Sequence, residues 1–139
     1  MKDLSHYTST FHLLKILKSG YLNVSQGILD DAAVWLTTSK VPVQAWQEGS
    51  CVDKSEIRFI LKDIKALKWC DYKKKYTKGS NKSEKQQWAK ALEVDNVFKS
   101  WWLSEDIIPL EMVEAIENTK TGKKVILVDN YDNVLKILL

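Results

Sequence analysis

The chain has 139 residues, 45% of them apolar and 28% charged, which fits one globular domain and excludes a largely disordered protein. Its formal net charge of +3 is mild, so it tolerates a polyanionic partner without requiring one. No apolar run approaches the roughly 18 residues of a membrane-spanning helix, and the start MKDLSHYTS has no apolar signal-peptide core. We therefore expect a cytoplasmic protein that does not contact a membrane.

Cysteine and arginine are both scarce, and each bears on the chemistry that is available. Cys51 and Cys70 form no CxxC pattern and have no paired histidines, so we expect no zinc site and reduced thiols. Arg58 is the single arginine among 21 basic residues. It is therefore the one side chain able to grip a phosphate in a planar, bidentate way.

The first third of the chain predicts strands around one helix. The helix is expected over Thr10–Ser19, because its apolar residues share one face and Gly20 can supply a left-handed stop. Strands are expected over residues 3–8, Tyr21–Val24 and Ala33–Thr38.

The sequence of the middle of the chain predicts short helical turns, one more strand and one more long helix. Residues Val41–Trp46 are expected to form one or two helical turns, and alternation predicts a strand over Glu56–Leu61. The polar stretch Tyr72–Ser83 reads as a solvated loop. Ser83 and Gln86 form a capping-box signature for a helix that runs to about Leu92.

The last third predicts a strand over Ser100–Ser104 followed by an antiparallel meander. Met112–Glu117 and Lys124–Val128 flank a turn that contains Gly122, and a second turn over Asp129–Asn133 leads to a strand at Val134. Strands outnumber helices and the order is mixed. We therefore predict an α+β fold of two small, packed, mainly antiparallel sheets with a few helices, in a single domain over residues 1–139.

The motifs of the common enzyme classes are missing from the sequence. It contains no Walker loop, GxGxxG, HExxH, GxSxG or EF-hand loop. With only two histidines, His6 and His12, a catalytic triad or a multi-histidine metal centre has almost no material. We therefore predict no metal site.

Two polar segments lie at the ends of predicted strands. The segment Ser5–Ser9 contains His6, Tyr7 and Thr8, and the alternative to a site is a core histidine followed by a helix N-cap. The segment Val34–Ser39 contains Trp35 and Thr37, and the alternative there is a buried strand whose hydroxyls cap the next turn.

Two further features are candidates for binding or catalysis. Arg58 lies within an apolar strand, where the simpler alternative is a solvated or carboxylate-paired side chain. Trp101 and Trp102 are adjacent on a strand and must point to opposite faces, so one packs in the core and the other covers a second surface or a ligand. Glu105 follows that strand, as either a cleft carboxylate or an exposed edge carboxylate.

The block His6-Tyr7-Thr8-Ser9, followed by a helix that ends in LKSGYL, resembles the first strand and helix of the ADP-ribosyltransferase superfamily. The resemblance implies that His6 holds the ribose and amide of NAD, that Trp35, Thr37 or Thr38 lines the nicotinamide pocket, and that Glu105 stabilises the transition state. We also expect cofactor contacts from Tyr7, Thr8 and Trp102. Arg58 has no fixed equivalent in the superfamily, and we expect it at a phosphate.

The resemblance implies an NAD-dependent ADP-ribosyltransferase or a related NAD-processing enzyme, with NAD as a substrate and a nucleic acid or a protein as the target. The chemistry requires no metal, because one placed carboxylate can stabilise the cationic sugar that forms as nicotinamide leaves. The alternative is a non-catalytic nucleotide-binding or inhibitory protein of the same fold. Transfer of an RNA 2′-phosphate ranks below both, because it relies on several basic side chains at the phosphate.

Overall fold

The fold was analysed in a computed structural model, which describes residues 4–26, 32–39, 55–78, 82–93, 97–126 and 131–139. Four α-helices occur in these ranges: α1 (Thr10–Ser19), α2 (Trp69–Tyr76), α3 (Lys82–Leu92) and α4 (Tyr131–Leu138). Two short 3₁₀ helices span Val97–Ser100 and Leu110–Met112.

All strand pairs in the described residues are antiparallel. The strands are β1 (Ser5–Thr8), β2 (Tyr21–Leu22), β3 (Ser25–Gln26), β4 (Ala32–Thr37), β5 (Ile57–Leu61), β6 (Leu67–Lys68), β7 (Trp101–Ser104), β8 (Ile108–Pro109), β9 (Val113–Asn118) and β10 (Lys124–Ile126). The main sheet has the order β10-β9-β5-β1-β4-β7-β6, and β3 pairs with β4 beside it; β2 and β8 form a separate ribbon.

The α+β class and the antiparallel pairing predicted from the sequence are confirmed. The division into sheets differs from the prediction. The described residues form one eight-stranded sheet and one two-stranded ribbon instead of two small sheets. Hydrophobic alternation predicts which side of a strand is buried but carries no information on which strands pair, so the sheet sizes were not accessible.

The main sheet is covered on both faces by helices. One apolar cluster joins α1 and α4 to the sheet, and we call this side the α1/α4 face; it includes Leu13, Phe59 and Leu138. The other cluster joins α2 and α3 to the sheet, and we call this side the α2/α3 face; it includes Trp69 and Trp101. Because strand side chains alternate, neighbouring residues on one strand belong to opposite faces.

Helix α1 has the bounds that the sequence predicts, and its two caps explain why. The Ser9 hydroxyl accepts a hydrogen bond from the His12 backbone N–H at 3.1 Å, which satisfies one of the first free donors of the helix. At the other end Gly20 has φ of 90°, and its N–H donates to the Ile16 carbonyl. A left-handed residue at this point ends the helix and turns the chain into β2.

Several predicted strands are confirmed within one or two residues. They are β1, β2, β4, β5, β7 and the pair β9 and β10, whose connecting turn contains Gly122 with φ of 78°. Helix α3 is also confirmed, but it begins at Lys82, so Ser83, which the sequence predicted as its cap, lies inside the helix.

Two predictions were wrong. The stretch predicted as a loop over Tyr72–Ser83 contains most of α2, whose Trp69 and Tyr72 are buried three residues apart on one side. The predicted strand at Val134 is part of α4, in which Val134 and Leu138 are fully buried four residues apart. In both cases a helical apolar stripe decides the structure against a polar or β-branched local composition.

The predicted helical turns over Val41–Trp46 and the thiol Cys51 lie outside the described residues. The Cys70 thiol lies in α2 and is free and exposed.

Candidate functional site

The register of the main sheet aligns side chains of several strands into rows. On the α1/α4 face one row runs from Phe59 of β5 through His6 of β1, Leu36 of β4 and Trp102 of β7 to Lys68 of β6. The position of Leu36 opposite His6 follows by stepping the Ser5–Thr37 pair one residue along the antiparallel ladder. Phe59 and Leu36 are fully buried, whereas His6 and Trp102 are half-buried and Lys68 is exposed.

His6 is held in this row by a hydrogen bond to the neighbouring strand. Its Nδ1 lies 2.9 Å from the Trp35 carbonyl oxygen, and because a carbonyl can only accept, Nδ1 carries the proton. The imidazole also lies beside the Phe59 ring, with centroids 6.4 Å apart. The tautomer and the orientation of the ring are thus fixed. The side chain is half-buried, so it only partly fits the core-histidine alternative that the sequence left open.

Trp102 and Lys68 form the outer end of the row. They are directly paired across β7 and β6, and the Lys68 ammonium lies 5.6 Å from the centroid of the Trp102 ring. Trp101, the neighbour of Trp102 on β7, is buried on the α2/α3 face, so the prediction that the two indoles point to opposite faces is confirmed. An indole beside an ammonium offers a stacking surface next to a positive charge.

Thr8 lies on the same face as His6, two residues along β1, and is buried. Ser104, also buried, lies on this face at the end of β7, and its hydroxyl donates to the Asp106 carbonyl at 2.8 Å. The α1/α4 face therefore contains three of the sequence-predicted residues, namely His6, Thr8 and Trp102.

Arg58 lies on the α2/α3 face, between two strands that supply its partners. Its Nε donates to the Ser5 hydroxyl at 2.8 Å, and its Nη1 lies 3.9 Å from a carboxylate oxygen of Glu117. The Arg58 side chain is 13% exposed. Its described contacts match the carboxylate-paired alternative that the sequence left open.

Tyr7 is directly opposite Arg58 in the ladder, and the two share the α2/α3 face. Its hydroxyl donates to the Ser39 carbonyl at 3.3 Å. Burial raises the pKa of Tyr7 above its ordinary value of 10.0; the Arg58 charge opposes this rise and the Glu117 charge adds to it. The phenol is thus a neutral hydrogen-bonding group at physiological pH.

Trp35 and Thr37 continue the α2/α3 face on β4. Trp35 packs against the rings of Trp69 and Trp101, with centroids 5.6 and 5.5 Å away. Thr37 is fully buried, and its hydroxyl donates to the Ser100 hydroxyl at 3.0 Å and accepts from the Ser39 backbone N–H at 3.0 Å. These contacts correspond to the buried, turn-capping alternative for this segment.

Glu105 lies just past the end of β7, where its carboxylate forms an ion pair with Lys75 of α2 at 2.8 Å. Its side chain is 40% exposed. Counting along the register, Glu105 is two strands away from His6 and three residues farther along, which separates their Cα atoms by about 14 Å. The described contacts of the two residues share no side chain.

The structure thus divides the predicted residues into two groups. His6, Thr8 and Trp102 share the α1/α4 face, whereas Tyr7, Trp35, Thr37 and Arg58 share the α2/α3 face. Lys68 was missed by the sequence reasoning, because its place beside Trp102 depends on the pairing of β6 with β7. Its position just before the aromatic start of α2 was the one local signal available.

Within the described ranges, no group of three or more His, Cys, Asp or Glu side chains could hold a metal ion. The described helices are also too short and too polar to cross a membrane. No protein-family model, curated protein or solved structure matches the chain.

Proposed function

We propose that this chain binds a nucleotide of the NAD class on the α1/α4 face, at His6, Trp102 and Lys68, the residues on that side of the row that are not fully buried. The supporting observation is the register, which aligns an imidazole, an indole and an ammonium over about 14 Å of sheet, with the buried Leu36 between the imidazole and the indole. A nicotinamide nucleotide presents complementary groups in the same order: a carboxamide, a flat ring and, beyond the ribose, phosphate oxygens.

Each side chain of the row has a separate task in this proposal. The half-buried Trp102 ring provides the face on which a base or nicotinamide stacks, and the fully buried Leu36 is its neighbour in the ladder. The Lys68 ammonium neutralises a phosphate as a point charge. The His6 ring, fixed by the Trp35 carbonyl, positions the carboxamide.

The reaction proposed for this site is ADP-ribosyl transfer or cleavage of the nicotinamide–ribose bond. Nicotinamide leaves as a neutral ring and the sugar becomes cationic, so one carboxylate is needed near the ribose. Glu105 is the carboxylate proposed for this role. With the carboxamide at His6 and the ring on Trp102, the ribose lies on the far side of the ring from His6, and Glu105 reaches it only after its carboxylate has left Lys75.

A second candidate function is binding without turnover, by a sequestering or inhibitory protein. The observation that favours it is the Lys75–Glu105 ion pair, in which both carboxylate oxygens accept from the ammonium at 2.8 and 3.0 Å. An engaged carboxylate is a poorer partner for a developing cation than a free one.

The binding proposal is tested by substituting Trp102→Ala and titrating NAD by calorimetry. Because base stacking on an aromatic side chain contributes roughly 1–3 kcal/mol, we expect the Kd for NAD to rise about tenfold or more. The matched control is Phe11→Ala, since Phe11 is an exposed aromatic residue on the outer side of α1. Equal affinity of the Trp102 variant and the wild-type protein would refute the proposed row.

The reaction is tested separately by substituting Glu105→Gln and measuring nicotinamide release. The ion pair is solvent-exposed, so we expect its loss to lower the free energy of unfolding by no more than about 1 kcal/mol. The melting temperature should therefore change little. A transferase loses nicotinamide release in this variant and retains NAD binding, and Lys75→Gln, which frees the carboxylate, retains or increases release. NAD binding by the wild-type protein without any nicotinamide release would assign the second function.

A further inference from the structure

The basic residues of the chain are concentrated in one segment. Residues 62–90 contain ten lysines and three acidic residues, a formal charge of +7, whereas the rest of the chain has eleven basic and fifteen acidic residues, a formal charge of −4. The mild net charge of +3 therefore conceals a strongly basic region within an acidic remainder.

In its described part, helices α2 and α3 form a helical hairpin on the α2/α3 face. The Lys85 ammonium of α3 lies 4.9 Å from the Tyr76 ring centroid near the end of α2. At the opposite end, the Trp69 indole N–H at the start of α2 donates to the Glu93 carboxylate just after α3, at 2.9 Å. The two helices are therefore antiparallel neighbours.

The inner side of the hairpin is apolar and its outer side is rich in lysine. Trp69, Tyr72 and Ala89 are buried against the sheet. The exposed lysines of the two helices and of the short segment after α2 are Lys74, Lys75, Lys78, Lys82 and Lys90.

Most of this charge is not neutralised within the part of the chain that the structure describes. Lys73 pairs with Glu93 and Lys75 pairs with Glu105. No described ion pair involves Lys74, Lys78, Lys82 or Lys90, and we call these four residues the hairpin lysines. Such a surface has a positive potential that a polyanion can neutralise.

We propose that the outer side of the α2–α3 hairpin binds the phosphate backbone of a nucleic acid. Helix α3 has eleven residues and is about 16 Å long, which matches about five consecutive phosphates at 3.4 Å of axis per strand charge. The proposal does not depend on the nucleotide site, because the hairpin covers the opposite face of the sheet from His6 and Trp102.

The identity of the cations indicates the kind of recognition. Lysine contacts a phosphate as a point charge, whereas sequence readout in a groove typically uses the bidentate fork of arginine. The single arginine of the chain, Arg58, is 13% exposed and bonded to Ser5 and Glu117, so it is not part of the exposed lysine surface. The surface therefore binds nucleic acid without base specificity.

The test is fluorescence anisotropy of the full chain with labelled oligonucleotides of random and fixed sequence, over a series of salt concentrations. The variant replaces the four hairpin lysines with glutamine. We expect its Kd to rise at least about tenfold at low salt, and the slope of log K against log salt to fall by about 3 as four phosphate contacts are lost.

The matched control replaces Lys18, Lys123, Lys124 and Lys136 with glutamine, which removes the same charge from exposed positions on other elements. We expect this control to bind almost as well as the wild-type protein. Equal weakening in both variants, or no oligonucleotide binding by the wild-type protein, would overturn the proposal. Displacement of the oligonucleotide by polyglutamate at equal charge would also overturn it and assign the surface to an acidic protein. NAD binding, measured in the same samples, reports on the nucleotide site independently.

Discussion

Glu93 shows how a single carboxylate can join two elements of this fold. Its Oε1 atom accepts hydrogen bonds from the Trp69 indole and from the Lys73 ammonium, so it connects the end of α3 to the start of α2. Burial alone would raise the pKa of Glu93, but the hydrogen bonds from Lys73 and Trp69 and the Lys73 charge outweigh it and lower the pKa below the ordinary value of 4.5.

The sign of the pH dependence follows from this depressed pKa. A carboxyl group that binds its proton less tightly in the folded state stabilises the fold above about pH 4.5, and this contribution is lost as the pH falls through the folded pKa. We predict that Glu93→Gln lowers the free energy of unfolding at pH 7 by about 1–2 kcal/mol. The difference from the wild-type protein should shrink as the pH falls below 4.5 and vanish below the lowered folded pKa, as measured by urea denaturation at several pH values.

The control for this prediction is Glu84→Gln, which neutralises an exposed carboxylate in the first turn of the same helix. Its effect should stay within about 0.5 kcal/mol. A constant difference between Glu93→Gln and the wild-type protein across the whole pH range would show that the ion pair does not contribute to stability.

At the scale of elements, the end of α1 is set by one backbone conformation. Gly20 has φ of 90°, which residues with a Cβ atom rarely adopt, and a Cβ atom added there would meet nothing within 4 Å. The cost of a substitution is therefore conformational rather than steric. We predict that Gly20→Ala lowers the free energy of unfolding by about 1 kcal/mol and that Gly20→Asn costs less, because asparagine tolerates the left-handed region.

Chemical denaturation of the two variants at equal protein concentration provides the measurement. Equal stability of the alanine variant and the wild-type protein would mean that the chain can leave α1 in another conformation. The same measurement on Gly122→Ala is informative, because Gly122 has φ of 78° and equally open surroundings but lies in the turn between β9 and β10.

The elements that sequence reasoning identified are those with strong local signals. Helix α1 has an apolar stripe, a serine cap and a glycine stop, and β5 alternates between buried and half-buried residues. Helix α2 lacks such signals because three consecutive lysines hide the spacing of Trp69, Tyr72 and Tyr76. Its helical state depends on aromatic packing against the sheet, which is a tertiary effect.

Only part of the candidate site could be predicted from the sequence, for a related reason. Residue types marked His6 and Trp102 as candidates, and alternation predicted that Trp101 and Trp102 face opposite ways. Their alignment with Lys68 depends on the pairing of β1, β4, β7 and β6, whose members are separated by up to about a hundred residues in the chain. Pairing over such separations is selected by the whole core and leaves no local pattern.

At the scale of the whole molecule, the main sheet separates two surfaces of different character. The α1/α4 face contains the His6–Trp102–Lys68 row, and the hairpin that covers the α2/α3 face presents the hairpin lysines. Substitutions that lie far apart and share no partners act additively, usually within about 0.5 kcal/mol. The two proposed ligands should therefore bind with little mutual influence.

This independence can be measured with variants on each face and with both ligands. We predict that Trp102→Ala changes the oligonucleotide Kd by less than about twofold, and that replacing the four hairpin lysines changes the NAD Kd by a similarly small factor. Saturating oligonucleotide should likewise leave the NAD titration of the wild-type protein unchanged.

The one described ion pair between the hairpin and the end of β7, Lys75–Glu105, offers a route for coupling. A change larger than about fivefold that disappears in Lys75→Gln would show that nucleic-acid binding and nucleotide binding communicate through this pair, since coupling between two ligands must be reciprocal.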